Sequence, residues 1–179
     1  MEINTERLRL REITQEDFQA VHEYASDPEA VKYMPFGPNT EEETREFISR
    51  NLKNQRERPR TEYGLGIILK DEDRFIGACG IHGVTEIQAS IGYILARRYW
   101  GHGYATEAAR ALVYYAFSEL GVHRVYAFCD PRNLASIRVL EKVGMSLEGR
   151  LRENMIIHGE YRDSLVFGIL VDEWRTNRT

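Results

Sequence analysis

Arg97-Arg98-Tyr99-Trp100-Gly101-His102-Gly103-Tyr104-Ala105-Thr106-Glu107-Ala108 joins a strand-like run, Ser90 to Ala96, to the helical pattern Ala105, Ala108, Ala109, Leu112, Val113 and Ala116. The two glycines therefore sit where a chain leaving a sheet turns into a helix. There, unpaired backbone N–H groups and the positive end of the helix dipole can hold an anion, usually phosphate. A side chain at Gly101 or Gly103 would keep a ligand off the backbone, and glycine reaches torsions that other residues resist. Neither common phosphate loop is present. A dinucleotide fingerprint needs a third glycine where Thr106 stands, and a Walker loop needs Gly-Lys followed by Ser or Thr.

On the N-terminal side of this turn, Tyr63 to Leu69, Arg74 to Ile81 and Glu86 to Ala96 read as three strands. Their linkers are short enough for an antiparallel meander. Further upstream, Leu8, Leu10 and Ile13 form the apolar side of a first strand, with arginines at 7, 9 and 11 opposite. Thr14 and Asp17 open a helix whose Phe18, Val21 and Ala25 share a face; Asp27-Pro28 ends it, and Glu29 to Met34 makes a short helical turn. Thr40, with Glu43 at the capping-box position, starts a second helix with Phe47, Ile48, Asn51 and Leu52 on one face. The charged stretch Asn54 to Arg60 follows and reads as exposed.

On the C-terminal side, Gly121 closes the helix and Val122 to Cys129 forms a strand. Asp130-Pro131-Arg132-Asn133 then turns the chain into a short helix that stops at Gly144. Met145 to Leu151 and Tyr161 to Val171 are strand-like, with His158-Gly159 as a hairpin turn, and Asp172-Glu173-Trp174 starts a last helical turn. Nothing repeats and no linker divides the chain. The pattern implies one mixed α/β domain over residues 1–179 and leaves the strand order open.

The totals narrow the function class. A chain of 179 residues with 42% hydrophobic and 29% charged residues can fold on its own core. A net charge of -4 argues against nucleic acid as the main partner and mildly favours a cationic substrate. Cys79 and Cys129 lie in apolar runs without a Cys-x-x-Cys partner and read as reduced and internal. The histidines show no metal-ligand spacing, so no metal is expected. No apolar run approaches the length of a membrane span, and Met1-Glu2-Ile3-Asn4 does not start a signal peptide, so the expected compartment is the cytoplasm.

Arg98-x-x-Gly101-x-Gly103-Tyr104-Ala105-Thr106-Glu107-Ala108 resembles the coenzyme A pyrophosphate loop of the GCN5-related N-acetyltransferase (GNAT) superfamily. The nearest subgroup is that of the bacterial ribosomal-protein N-terminal acetyltransferases. Further matches cover most of the chain: Thr5-Glu6-Arg7-Leu8-Arg9-Leu10-Arg11, Ile91-Gly92-Tyr93, Asn133-x-x-Ser136-x-x-Val139-Leu140-Glu141-Lys142-x-Gly144-Met145, and Asp163-x-x-x-Phe167-x-Ile169-Leu170. The resemblance implies a central mixed, mostly antiparallel sheet flanked by about four helices. That sheet would be splayed between the strand ending near Ala96 and the one ending near Cys129. It also implies transfer of acetyl from acetyl-CoA to a primary amine by direct attack in a ternary complex. The acceptor would be a protein N-terminus or, alternatively, a small amine such as a polyamine, an antibiotic or an amino acid. A non-catalytic acyl-CoA-binding module is the rival reading. The protein is expected as a monomer or homodimer without a nucleic-acid or membrane partner.

The same resemblance assigns site residues. Coenzyme A would meet Arg97, Arg98, Trp100, Gly101, His102, Gly103, Tyr104 and Ala105 at its phosphates, and the strand edge Tyr93, Ile94 and Leu95 along its pantetheine arm. A backbone N–H near Ile94 or Leu95 would polarise the thioester carbonyl. On the residues alone, Arg97 and Arg98 are equally readable as a solvated rim, and Tyr99-Trp100 as packing for the loop. Asn133 is readable as a helix N-cap with Ser136 in the first turn. By resemblance Asn133 contacts pantetheine and Ser136 protonates the leaving thiolate; no tyrosine lies between Tyr126 and Tyr161 to replace it. Relatives often carry a glutamate base immediately before Ile-Gly-Tyr, where this chain has Ser90. Glu86 shares Ser90's strand parity but would lie about 13 Å along the strand. Glu12, Glu153 and Asp163 are the other carboxylates considered near strand ends.

Overall fold

The structure, a computed structural model, describes residues 1–176. Three strands form the antiparallel meander: β3 (Tyr63–Leu69), β4 (Arg74–His82) and β5 (Gln88–Leu95). Leu65 lies opposite Cys79, and Cys79 opposite Tyr93. On the N-terminal side β1 (Glu2–Asn4) and β2 (Leu8–Glu12) extend the sheet. On the other side come β6 (Arg124–Cys129), β7 (Ser146–Ile157) and β8 (Glu160–Leu170). Among the described residues eight strands run in the order β1-β2-β3-β4-β5-β6-β8-β7, and there only β5 and β6 pair in parallel.

The helices are α1 (Phe18–Ala25), α2 (Glu41–Asn54), α3 (Tyr104–Ser118), α4 (Leu134–Val143) and α5 (Val171–Thr176). Thr40 and Glu43 cap α2 reciprocally, as their spacing predicts. Asp17 is held harder: Arg11 donates to both its oxygens at 2.8 and 2.7 Å, and the Thr14 N–H donates at 2.8 Å. Burial alone would raise the Asp17 carboxyl, but these hydrogen bonds outweigh it and hold it below its usual value.

Strand alternation sorts the side chains between two layers of helices. Tyr63 turns toward Tyr115 of α3, with ring centroids 6.4 Å apart, while the next residue, Gly64, lies directly against the Asn51 side chain of α2. The register continues Gly64 into Gly80 and Gly92. Three adjacent strands thus present a row without side chains to the α1–α2 side. The core between the sheet and α3 includes Leu65, Ile81, Ala108, Leu112, Val125 and Ile169, each no more than 1% exposed. Full burial of a leucine such as Leu112 contributes about 1.5–3 kcal/mol.

Several boundaries differ from the sequence expectation. Regular strand begins at Gln88, not Glu86, because the Thr85 hydroxyl takes the N–H groups of Ile87 and Gln88 and folds that segment into a turn. β1 has too few residues for a readable period, and Thr5 makes it a hairpin with β2 by bonding Leu8. β7 continues to Ile157; shifts of register at Leu147/Gly149 and Leu151/Met155 erase its alternation. Regular α3 stops at Ser118, and Gly121, at φ +68°, turns the chain toward β6. Arg60, expected in an exposed stretch, pairs with Glu12 and lies over the Tyr63 ring.

Candidate active site

The phosphate-loop stretch has the expected form. Gly101 and Gly103 adopt φ +81° and +82°, which only glycine takes readily, and Gly103 is the N-cap of α3. The first amides of a helix have no intrahelical acceptor, and this N-cap has no side chain to supply one, so they remain available to an anion. A Cβ on Gly101 would meet nothing within 4 Å. The loop is held from outside: Arg7 donates to the His102 carbonyl at 3.0 Å and to Glu107 at 2.7 Å. Burial would raise the Glu107 carboxyl, but Thr5 and Arg7 together hold it below the usual range. The side chain of Arg97 pairs with Asp27, just after α1, and that of Arg98 with Glu23, on α1, so in this arrangement they brace the rim. Trp100 donates from its indole N–H to the Leu95 carbonyl at 2.9 Å and packs the loop onto β5.

Beside this loop the sheet opens. β5 and β6 pair only at Gln88–Arg124, Ala89–Val125 and Ser90–Tyr126, after which they diverge. The edge of β5 from Ile91 to Leu95 is therefore unpaired on its β6 side. The Ala96 N–H bonds Ile76 on the β4 side at 2.9 Å. In an antiparallel ladder backbone directions alternate, so Ile91, Tyr93 and Leu95 point their N–H groups into the opening, while Ile94 points its own toward β4. This corrects the expectation for Ile94 as the carbonyl's donor and leaves Leu95, Tyr93 and Ile91.

Asn133 caps α4: its side-chain oxygen accepts the Ser136 N–H at 3.1 Å. Ser136 and the Tyr93 hydroxyl meet at 2.9 Å across the opening. Burial pushes the Tyr93 phenol well above its ordinary range, so it stays protonated and able to donate. Tyr93 thus brings a phenol to Ser136 from a strand 43 residues away. Periodicity in the sequence could not show that meeting; only the register and the split place it. Burial likewise raises the Cys129 thiol beside Ser136, and Cys79 is raised by burial as well; both cysteines are free.

The opening leads into a cavity of about 660 Å³ on the α1–α2 side of the sheet. Its floor is the row Gly64, Gly80 and Gly92; Tyr24, Phe47 and Asn51 form a helical wall, Tyr33 to Phe36 a loop wall, and Met155 and Ile157 the far side. The β7–β8 turn touches the segment leading into the loop wall, with His158 against the Val31 carbonyl at 3.3 Å. Two carboxylates on the lining are already paired: Asp130 with Arg132 and Arg162, and Asp163 with Arg150. Burial would raise Asp130, but the Arg132 bonds hold it low; Asp163 is held low by the Glu153 N–H and by Arg150.

Of the base candidates, Ser90 lines the cavity and donates its hydroxyl to the His82 carbonyl at 3.3 Å. Glu86 does not reach the cavity, because the Thr85 turn holds it in the exposed segment before β5. Glu12 faces Arg60, and Glu153 is exposed on β7. Sequence reasoning missed Glu62 and His82, which both line the cavity and meet at 2.8 Å. The available signal was register: with Tyr63 opposite Ile81, the preceding Glu62 falls opposite His82.

The family model described as "Acetyltransferase (GNAT) domain" matches residues 7–146. The chain belongs to that family. It is an acetyl-CoA-dependent N-acetyltransferase. Among its relatives is the uncharacterized N-acetyltransferase YnaD of Bacillus subtilis, 38% identical over 175 residues, covering 97% of this chain and 99% of YnaD. An acetyltransferase of the GNAT family from Bacillus anthracis has a related structure, with a TM-score of 0.86 and 37% identity over 95% of this chain and 98% of its own. Mycobacterium smegmatis RimJ, solved in complex with CoA-disulfide, superposes with a TM-score of 0.83 and 26% identity, covering 93% of this chain and 83% of RimJ. The split sheet of this acetyltransferase is the family's fold, with its eight strands mostly antiparallel.

Proposed function

We propose that this acetyltransferase, acting as one catalytic domain, transfers acetyl to the α-amine of a protein or peptide N-terminus. The observation that carries the choice of acceptor is the charge state of the cavity. A polyamine offers two or more ammonium groups and needs unpaired carboxylates to receive them. Here Asp130 and Asp163 are neutralised by arginines, and Glu62 is engaged by His82. A single amine followed by a neutral or apolar group fits the remaining lining of Tyr24, Tyr33, Met34, Pro35, Phe36 and Phe47. An α-amine, with a reference pKa of about 7.7–8.0, also demands less deprotonation than a lysine at about 10.4.

The acetyl donor fits the opening. Its phosphates match the free amides at Gly101 to Ala105, and its pantetheine amides match the unpaired edge of β5 in the manner of an added strand. A thiol leaving beside Ser136 would lie along the unpaired edge of β5, where the Ile91, Tyr93 or Leu95 N–H can meet the thioester carbonyl. Ser136 then donates to the sulfur as charge develops on it.

CoA release measured over a panel of peptides with free α-amines, spermidine, aminoglycosides and amino acids tests the reading. The peptides should give the highest kcat/KM. Faster turnover of spermidine would overturn the acceptor, and acetyl-CoA binding without transfer to any amine would leave only a binding module.

A further inference from the structure

We infer that His82 is the general base for the acceptor amine and that Glu62 positions it; this rests on the acetyl-transfer reading above. A carboxylate can only accept, so the 2.8 Å contact with Glu62 Oε2 makes His82 Nδ1 the donor and leaves the lone pair on Nε2. The other Glu62 oxygen accepts the Gly83 N–H at 2.9 Å, which fixes the carboxylate itself. The ring lies over the glycine floor of the cavity. A Cβ on Gly80 would come within 2.7 Å of Nε2 and 2.8 Å of the Tyr63 carbonyl, and one on Gly92 within 3.8 Å of Nε2. The absence of a side chain at Gly80 is what admits the imidazole, whereas a Cβ at Gly92 would make only an ordinary contact with it. Nε2 is thereby held on the α1–α2 side of β5, while Ser136 approaches the opening from α4.

The charged groups around His82 are Glu62 from the segment before β3, Arg50 from α2 on the shared cavity wall, and the paired Asp130 and Asp163 beyond β6. The proton balance is complete. The ammonium gives one proton to Nε2 and so to solvent, and the nitrogen lone pair forms the N–C bond as C–S breaks. The second nitrogen proton leaves through the same imidazole, and the sulfur takes one from Ser136, which solvent reprotonates. One proton is released per acetyl transferred.

The test compares wild type, His82→Ala and Glu62→Gln for transfer to a peptide with a free α-amine between about pH 5.5 and 9, with acetyl-CoA affinity by calorimetry and folding by thermal melting. His82→Ala should lower kcat about 100-fold near neutrality, keep acetyl-CoA affinity, and recover partly with added imidazole. The deficit should shrink at high pH, where the amine is already deprotonated. Glu62→Gln should lower kcat about 10-fold while leaving the KM for the peptide and the acetyl-CoA affinity unchanged, and added imidazole should rescue His82→Ala but not Glu62→Gln; a merely structural role would not give that split. A folded His82→Ala protein within threefold of wild type at every pH would overturn the base. If wild type itself transfers acetyl to no amine, the acetyl-transfer reading fails and the base with it.

Discussion

Replacing Ser136 by alanine separates proton donation from architecture, because the 2.9 Å contact with Tyr93 lets the two be removed independently. In Ser136→Ala the Tyr93 hydroxyl, in a mostly buried setting, loses a partner. It keeps a longer, 3.4 Å contact with the residue-136 carbonyl, so the cost falls at the low end of the roughly 1–3 kcal/mol of an orphaned buried hydroxyl. Tyr93→Phe orphans the serine instead, at a site where solvent reaches it more easily, so about 1 kcal/mol is expected. The double variant removes both groups and should be more stable than the sum of the singles by about 1 kcal/mol. Turnover should follow a different pattern. General acid help is typically worth 10²–10⁴-fold, and a thiol is a good leaving group, so Ser136→Ala and the double variant should both lose about 10–100-fold in kcat. Acetyl-CoA affinity should hardly change, since the hydroxyl contributes mainly in the transition state. Tyr93→Phe should retain turnover within a few-fold. Urea melts and steady-state CoA release at saturating acceptor measure both quantities. Equal turnover in folded Ser136→Ala would end the serine's role, and a loss in Tyr93→Phe as large as in Ser136→Ala would move the donation to the phenol.

Gly103→Val puts a branched side chain at φ +82° in the amide cradle; acetyl-CoA affinity by calorimetry should fall at least tenfold, equivalent to about 1.4 kcal/mol. Cys79→Ala and Cys129→Ala should keep turnover within a few-fold, because burial holds both thiols protonated; trapping an acetyl-cysteine by mass spectrometry would contradict this. Asp17 has a depressed pKa in the fold, so its contribution is present above the ordinary carboxylate value and is lost as pH falls through the folded one. Asp17→Asn should therefore lower stability by about 2–3 kcal/mol at pH 7 and flatten the acid side of the stability curve in thermal melts between about pH 5 and 2.

What was legible in advance was whatever repeats locally. Apolar runs between short linkers marked β3 and β4, helical spacing marked α2 and α3, and capping chemistry placed Thr40 and Asn133. The two glycines before α3 marked the turn into the helix because a helix start is a local property. The base region was hidden for the opposite reason. Glu62 and His82 lie 20 residues apart on separate strands, and each alone looks like a surface residue. Likewise Tyr93 was readable as part of a strand edge but not as the partner of Ser136. β7 escaped a full reading because its bulges break the period from which strands are recognised.

The tie between Arg7 and the phosphate loop has a consequence for the order in which the protein is completed. Arg7 grips Glu107 and the His102 carbonyl, residues 100 and 95 positions later in the chain. Local chemistry can start α3 early, but the loop before it acquires its brace only when the amino-terminal hairpin docks on it. Closing such distant contacts is a late, entropically expensive event. Affinity for acetyl-CoA is therefore a reporter of finished assembly, and the nucleotide in turn protects the first dozen residues from opening by mass action.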